Sequence, residues 1–263
     1  MTFAFDLISD LHIESWSNEF DWTGQPTSQF CVVAGDVSRD LDVLARTLRH
    51  LGQCYRGVFY IDGNDEYRDD IDNIGDRYRA IKRMLKNIDN VLYLQDNAVV
   101  VEGVGILATN GWWSWNLDAD IDYEQTRAWY HQKVGCQPST LDVIESMAIS
   151  DAAYLRNSVS RLQTHQDVKR IVIVTHTVPT MTLINHDLDL DGTYRMNCMG
   201  NPYMEQVLAA DTEAKISHWC FGHYHSSVDR SAGGIRFVNN CRGRGDSEFR
   251  KIVYHPLRIE VAV

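Results

Sequence analysis

The chain has 263 residues, 44% of them apolar, and a formal net charge of −11. That length fits one large domain or two small ones, and the apolar content builds a sizeable core, which excludes a disordered or fibrous chain. The acidic balance argues against a broad basic face for duplex nucleic acid. It does not exclude a phosphate substrate, because bound cations can dominate the local field.

The chain begins almost at once with a strand-like run, Phe3–Ile8, which closes on Asp10-Leu11-His12. No basic stretch followed by an apolar one precedes it, so no signal peptide is expected. A second run, Phe30–Ala34, closes on Gly35-Asp36, with Ser38 and Arg39 following. Leu41, Leu44, Leu48 and Leu51 then repeat at helical spacing, with Ser38 as the expected N-cap. Val58–Ile61 leads to Gly63-Asn64-Asp65-Glu66, and Tyr78, Ile81, Leu85 and Ile88 form a second helical stripe. Asn97–Val101 and Val104–Leu107 read as a hairpin, and Ile144 to Leu162 as a long helix. Ile171–Val174 closes on Thr175-His176, and Ile216–Phe221 on Gly222-His223-Tyr224-His225. Ile235–Val238 and Lys251–Tyr254 complete the expected strands.

Near-continuous apolar strands alternating with helices predict an α/β fold, and the hairpins add mixed pairing and a second stacked sheet. One domain over residues 1–263 is expected, with elaborations at about 112–137 and 183–203, because no linker or repeat divides the chain. No apolar run approaches the ~20 residues that span a membrane. Six cysteines without a CxxC pair, two of them inside strand-like runs, point to a reduced, cytoplasmic protein.

Ligands at the carboxyl ends of neighbouring strands converge on one crevice in open α/β sheets. The side chains offered there are Asp10, His12, Asp36, Asn64, His176, His223 and His225. Mixed nitrogen and oxygen donors suit Mn, Fe, Zn, Ni or Co rather than calcium. If one carboxylate bridges, seven side chains give two divalent ions about four protein ligands each. Two such ions clamp a phosphoryl group and generate a hydroxide between them. Each short motif alone is weak evidence, since Gly-Asp and Gly-Asn are ordinary turn dipeptides. Their joint occurrence, each after a buried strand, is what carries the reading.

This ordered set resembles the calcineurin-like metallophosphoesterase superfamily, whose pattern is Asp-x-His, Gly-Asp, Gly-Asn-His-Asp/Glu, a later His, and Gly-His-x-His. The match runs from Ile8 to His225, and the wording Leu7–Glu14 and Gly233–Asn240 is similar to compact bacterial and phage members. The resemblance implies a four-layer αββα fold of two stacked mixed sheets flanked by helices. It implies Asp10, His12, Asp36 and His225 around one metal, with Asp36 bridging, and Asn64, His176 and His223 completing the second. One position departs: Asp65 stands where the family has His beside the metals. An ionised carboxylate there repels phosphate and is a poor general acid near bound cations.

Other residues are open. Arg39 is a candidate phosphate contact or a surface ion-pair partner, and Arg242 and Arg244 stand in the same balance. Trp112, Trp113 and Trp115 are expected to pack in the core rather than stack a base. Asp187–Gly192 opens like a calcium loop, but the twelfth position is Cys198 and not Glu, so that reading fails. His186, Tyr194 and Arg195 are within the same loop region and are candidates to reach substrate.

The expected function is dinuclear metal-dependent hydrolysis of phosphate esters, phosphodiester favoured over monoester, by a metal-bridging hydroxide. Asn64, Asp65 and His176 are the catalytic candidates and Arg39 the substrate-binding one. The expected partner is a small phosphorylated molecule, a nucleotide among the candidates. The alternative is a binding or scaffold protein derived from such an enzyme.

Overall fold

The structure, a computed structural model, describes residues 2–17, 26–184, 192–247, 250–251 and 253–263. Four parallel strands lie side by side: β1 (Thr2–Ile8), β2 (Phe30–Ala34), β3 (Gly57–Ile61) and β4 (Val91–Tyr93). A second sheet has the order β5-β6-β7-β8-β10-β9. Its strands are β5 (Asn97–Val101), β6 (Val104–Ala108), β7 (Arg170–Val174), β8 (Ile216–Phe221), β9 (Val228–Ala232) and β10 (Ile235–Asn239). Strands β5 and β9 pair antiparallel at its two edges. The last strand, β11 (Leu257–Ala262), returns antiparallel to β1 and completes the first sheet.

Strand alternation sorts the side chains into three packed layers. Phe3, Phe5, Leu7, Val32, Ala34, Val172, Val174, Ile259 and Val261 meet between the two sheets. The opposite faces of β2 and β3 present Cys31, Val33, Val58 and Tyr60 to α1 (Leu41–Cys54) and α2 (Ile74–Leu85). On the far side, Ile171, Ile173, Trp219 and Phe221 pack with Leu155 and Val159 of a long helix and with Val207. The helices concerned are α4 (Pro138–Leu162), which follows α3 (Tyr123–Val134), and α6 (Glu205–Ala210), which follows α5 (Thr193–Asn197). The arrangement is the expected αββα sandwich, and the middle core draws on both ends of the chain.

Several local expectations change. The N-cap of α1 is Asp40, whose carboxylate accepts from the amides of Asp42 and Val43. Ser38 instead accepts from the Asp40 amide through its hydroxyl. Among the described residues, Lys251, Val253 and Tyr254 form no strand, and the closing strand lies at Leu257–Ala262, where Ile259 and Val261 alternate with exposed neighbours. Strands β4 and β9 both lie at sheet edges; β4 is only three residues long and β9 is mostly polar, so neither was expected. The polar run Asp187–Asp191, and His186, lie outside the described residues. All six cysteines are free. No described helix is long and apolar enough to cross a membrane.

Phe5 is fully buried between the sheets. Phe5→Ala is expected to lower stability by about 3–5 kcal/mol, read from denaturant unfolding. Val143→Ser, on the exposed face of α4, is expected to stay within about 0.5 kcal/mol of the parent.

Candidate metal centre

Every strand whose end carries a motif delivers it to the same edge of the sandwich. The loops there are sewn together by the backbone. Asp10 N donates to Gly35 O, His12 N to Asp36 O, Thr175 N to Cys220 O and Gly222 N to His176 O. The segment after β10 joins them, with Arg242 N donating to Ser9 O and Gly243 N to Asp10 O. Two strand ends from different sheets thereby face each other across a few ångströms.

Three groups of ligand-capable side chains result among the described residues, with the ligand atoms of each within 4.8 Å of one another; His12, Glu14 and Asp65 form one of them, and the other two meet at Asp36. Of those two, Asp10, His12, Asp36 and His225 form the first; Asp36, His176 and His223 form the second. Asp36 is in both. Asn64 joins the second group, its Oδ1 3.1 Å from His176 Nε2. His176 Nε2 is 3.3 Å from one oxygen of Asp36, and His12 Nε2 is 3.7 Å from the other. All seven residues named from the sequence as ligands are therefore brought together.

The imidazoles are held by their outward nitrogens. Ala34 O lies 2.8 Å from His176 Nδ1, Cys198 O 3.0 Å from His223 Nε2, and an Asp65 oxygen 3.1 Å from His12 Nδ1. Each acceptor takes one N–H and turns the other ring nitrogen inward, the orientation that a second layer of acceptors gives metal ligands once that nitrogen is free of its proton. The Nε2 atoms of His12 and His225 stand 3.1 Å apart, with Asp10 Oδ1 3.2 Å from the latter. Facing lone pairs with carboxylate oxygens beside them are a poor set for hydrogen bonding and a good one for a divalent cation. The donor set fits two such ions.

Burial opposes ionisation of Asp10 and Asp36, yet the imidazoles of His225 and His176 hold both carboxyls well below the usual range. Burial lowers the His176 pKa, but Asp36 outweighs it and raises the value to about 10. Burial and the neighbouring His176 push His223 down to about 4.

The loops are strained where they carry ligands. Asp10, His12, Asp36 and His223 all have left-handed backbone, with φ of 52°, 42°, 53° and 62°. Each costs of order 1–3 kcal/mol and persists only when its surroundings fix it. Glu66 supplies much of that fixing around Asp36. Its buried carboxylate accepts from the amides of Asp36, Val37 and Gly63 at 3.0, 2.6 and 2.7 Å. Burial, with the charge of Asp36, raises the Glu66 pKa to about 8. Gly63 must lack a side chain, because a Cβ there would lie 2.2 Å from Asp36 Oδ1.

Asp65 has a definite place. One oxygen faces His12 Nδ1; the other accepts from Arg244 Nη2 at 2.6 Å, with Arg68 Nη1 3.5 Å away. Burial opposes its charge, but the bond to His12 and the guanidinium of Arg244 keep its pKa below the usual value. Arg244 is the residue that sequence reasoning left undecided. Its signal was its position after strand β10, as the ligands follow theirs. Arg39 stands at the surface beside Asp69, Nη1 to Oδ1 3.5 Å, and is not among the residues that line the cleft. Trp112, Trp113 and Trp115 are all buried, and Trp113 stacks on His223 at 5.5 Å.

The site opens into a cleft of about 480 Å³, lined by Asp36, Asn64, Asp65, His223, His225 and Arg244 at the ligand end. Trp129, Tyr130, Lys133 and Arg195 line its outer part.

The fold has counterparts among solved structures. Among solved structures the chain is similar to phosphopantetheinyl hydrolase from Mycobacterium tuberculosis, at 17% identity and TM-score 0.70, covering 91% of this chain and 89% of that one. It is also similar to GAP50, described as the anchor in the inner membrane complex of Plasmodium, at 13% identity and TM-score 0.50, covering 96% and 75%. A dimetal phosphatase from Danio rerio aligns at 13% identity and TM-score 0.49, over 90% and 86%. These likenesses are of fold. No protein-family model matches the chain, and no curated protein matches it in sequence.

Two outcomes are expected. Without metal, His176 keeps its proton up to about pH 10, whereas a ligand nitrogen must give it up. Zinc or manganese binding at pH 7 should therefore release at least one proton and tighten as pH rises, read from calorimetry in two buffers of different ionisation enthalpy. Zero release would contradict the assignment of His176. Asp65→Asn weakens the acceptor that orients His12, and the apparent metal affinity should fall about 10–100-fold.

Proposed function

We propose that the chain is a two-metal hydrolase of phosphate esters, with phosphodiesters favoured over monoesters. The observation that carries this reading is the pair of ligand clusters sharing Asp36 at the floor of an open cleft. Asp10, His12, Asp36 and His225 would hold one divalent ion, and Asp36, Asn64, His176 and His223 the other, from among Mn, Fe, Zn, Ni and Co. When bound, the ions supply positive charge for the phosphoryl oxygens and an activated water.

The chain's own residues do the rest. Ala34, Cys198 and Asp65 fix the tautomers of three imidazoles. Glu66 keeps Asp36 in its strained conformation. Arg244, steadied by Asp65, offers its guanidinium to a phosphoryl oxygen at the cleft edge, where bidentate contact is available. Asp65 itself has both oxygens engaged and does not serve as the leaving group's acid. Arg244 and Arg68 answer its charge, so it does not bar an anionic ester from the cleft. The cleft also has room beyond the ligands for a second ester substituent.

The alternative of a non-catalytic binding protein drew only on the exchange of His for Asp65. That exchange is accompanied by new partners for the residue and by an undiminished ligand set, which supports the enzyme reading. We read residues 1–263 as one domain; the middle core, which draws on Phe3 and Val261 together, supports that reading.

Protein loaded with Mn, Ni or Zn is expected to hydrolyse bis-p-nitrophenyl phosphate faster than p-nitrophenyl phosphate, with cyclic nucleotides as a further diester arm. Asp36→Asn should lower kcat/KM by at least about a hundredfold. Absence of turnover on every substrate, with metal bound, would overturn the reading; faster monoester turnover would overturn the diester preference alone.

A further inference from the structure

Arg244 sits in a loop that reads Arg242-Gly243-Arg244-Gly245. Glycine on both sides leaves the arginine on a backbone with little stiffness of its own, and Gly243 is left-handed at φ 84°. A guanidinium that is to meet a phosphoryl group has to be held, because misplacement by about 1 Å can cost roughly a hundredfold in rate. Main-chain bonds to Ser9 and Asp10 tie the loop as far as the Gly243 amide. Past that point other groups must fix it.

They come from the short turn Ile13–Ser15, which follows the first ligand pair, and from Trp16 after it. Trp16 Nε1 donates to Gly243 O at 3.2 Å. The guanidinium of Arg242, which has no exposed surface, lies over the Trp16 ring, 3.7 Å from its centroid. Indole is the ring that binds a guanidinium most strongly, and desolvation strengthens the contact. Ser15 Oγ accepts from Gly245 N at 2.8 Å and donates to His12 O at 2.7 Å. Gly245 has to stay bare, because a Cβ there would run into Ser15 O. The loop is thus gripped on both sides of Arg244. The contacts also close a ring: His12 faces Asp65, Asp65 accepts from Arg244, the next residue donates to Ser15, and Ser15 donates back to His12. Neither Ser15 nor Trp16 lines the cleft, so neither meets a substrate there.

Resting on the hydrolase reading above, we infer that Trp16 and Ser15 are positioning residues, which latch the loop 242–245 so that the Arg244 guanidinium is delivered to a phosphoryl oxygen at the cleft edge. The latch acts through Arg244 alone. A contact that merely supported the fold, or the ligand His12, would cost the same whether or not Arg244 was present. Dependence on Arg244 is therefore the property that separates the two roles.

The test uses full-length, zinc-loaded protein and two readouts: kcat/KM for bis-p-nitrophenyl phosphate, and the Kd of inorganic phosphate from calorimetry. Trp16→Ala is expected to lower kcat/KM and to weaken phosphate binding, each by roughly tenfold. Trp16→Phe keeps a ring under Arg242 and should restore most of both. In an Arg244→Ala background, Trp16→Ala should change either readout by less than about twofold. Gly245→Ala drives the loop away from Ser15 and should give the same pattern; it carries the test if Trp16→Ala does not fold. Equal losses with and without Arg244, or losses accounted for by depleted zinc, would overturn the inference. Phosphate affinities that follow the cycle, with no turnover of any ester, would leave the latch standing and overturn the hydrolase reading instead.

Discussion

The sharing of Asp36 between two clusters of inward-facing donors is the constraint on which the rest of this structure depends. Its carboxylate is 2% exposed and has imidazoles on both sides. A charge so buried is costly unless it is paired and hydrogen-bonded. The surrounding chain meets that cost with the Asp65 amide, which donates to Asp36 Oδ1 at 2.7 Å, and with the imidazoles of His12 and His176. Glu66 ties down the backbone of the same loop. Left-handed residues, absent side chains at Gly63 and the parallel strand ends all serve to keep that carboxylate where two groups of ligands meet.

The place of Asp65 makes physical sense once the tertiary contacts are known. A carboxylate beside phosphate is unfavourable alone. Here it turns His12 toward the cleft and draws Arg244 in from the loop after β10. The negative charge is answered by two guanidinium groups, and the arginine is planar, permanently charged and matched to phosphate oxygens. A position that reads as a loss in the sequence becomes a relay that moves a cation into the site.

The fold is also a division of labour between sheets. Strands β1, β2 and β3 deliver Asp10, His12, Asp36 and Asn64; strands β7 and β8 of the other sheet deliver His176, His223 and His225. The middle core of aromatic and β-branched residues sets the spacing of the sheets, and with it the distance between the two sets of ligands. Packing of Phe5 and Val172 is in this sense part of the site geometry.

Much of this was legible in the residues. Apolar runs of strand length ending in Asp-x-His, Gly-Asp, Gly-Asn, Thr-His and Gly-His-x-His marked the strands, their order and the seven converging side chains, because burial on both faces leaves a local signature. Strand β11 was missed although Arg258 and Glu260 alternate with Leu257, Ile259 and Val261, because the apolar runs sought were those of strands covered on both faces. The cap of α1 moved from Ser38 to Asp40 because two candidate caps lie two residues apart in the same turn. Arg244 could be placed after a strand but not beside Asp65. Which charged side chain reaches the cleft depends on contacts between residues 179 positions apart, as in the Asp65–Arg244 pair. Sequence alone determined which chemistry the chain carries, because ligand types and strand ends are local facts. Tertiary structure decided what that chemistry faces, because only folding brings Asp65 to Arg244 across the 179 positions that separate them.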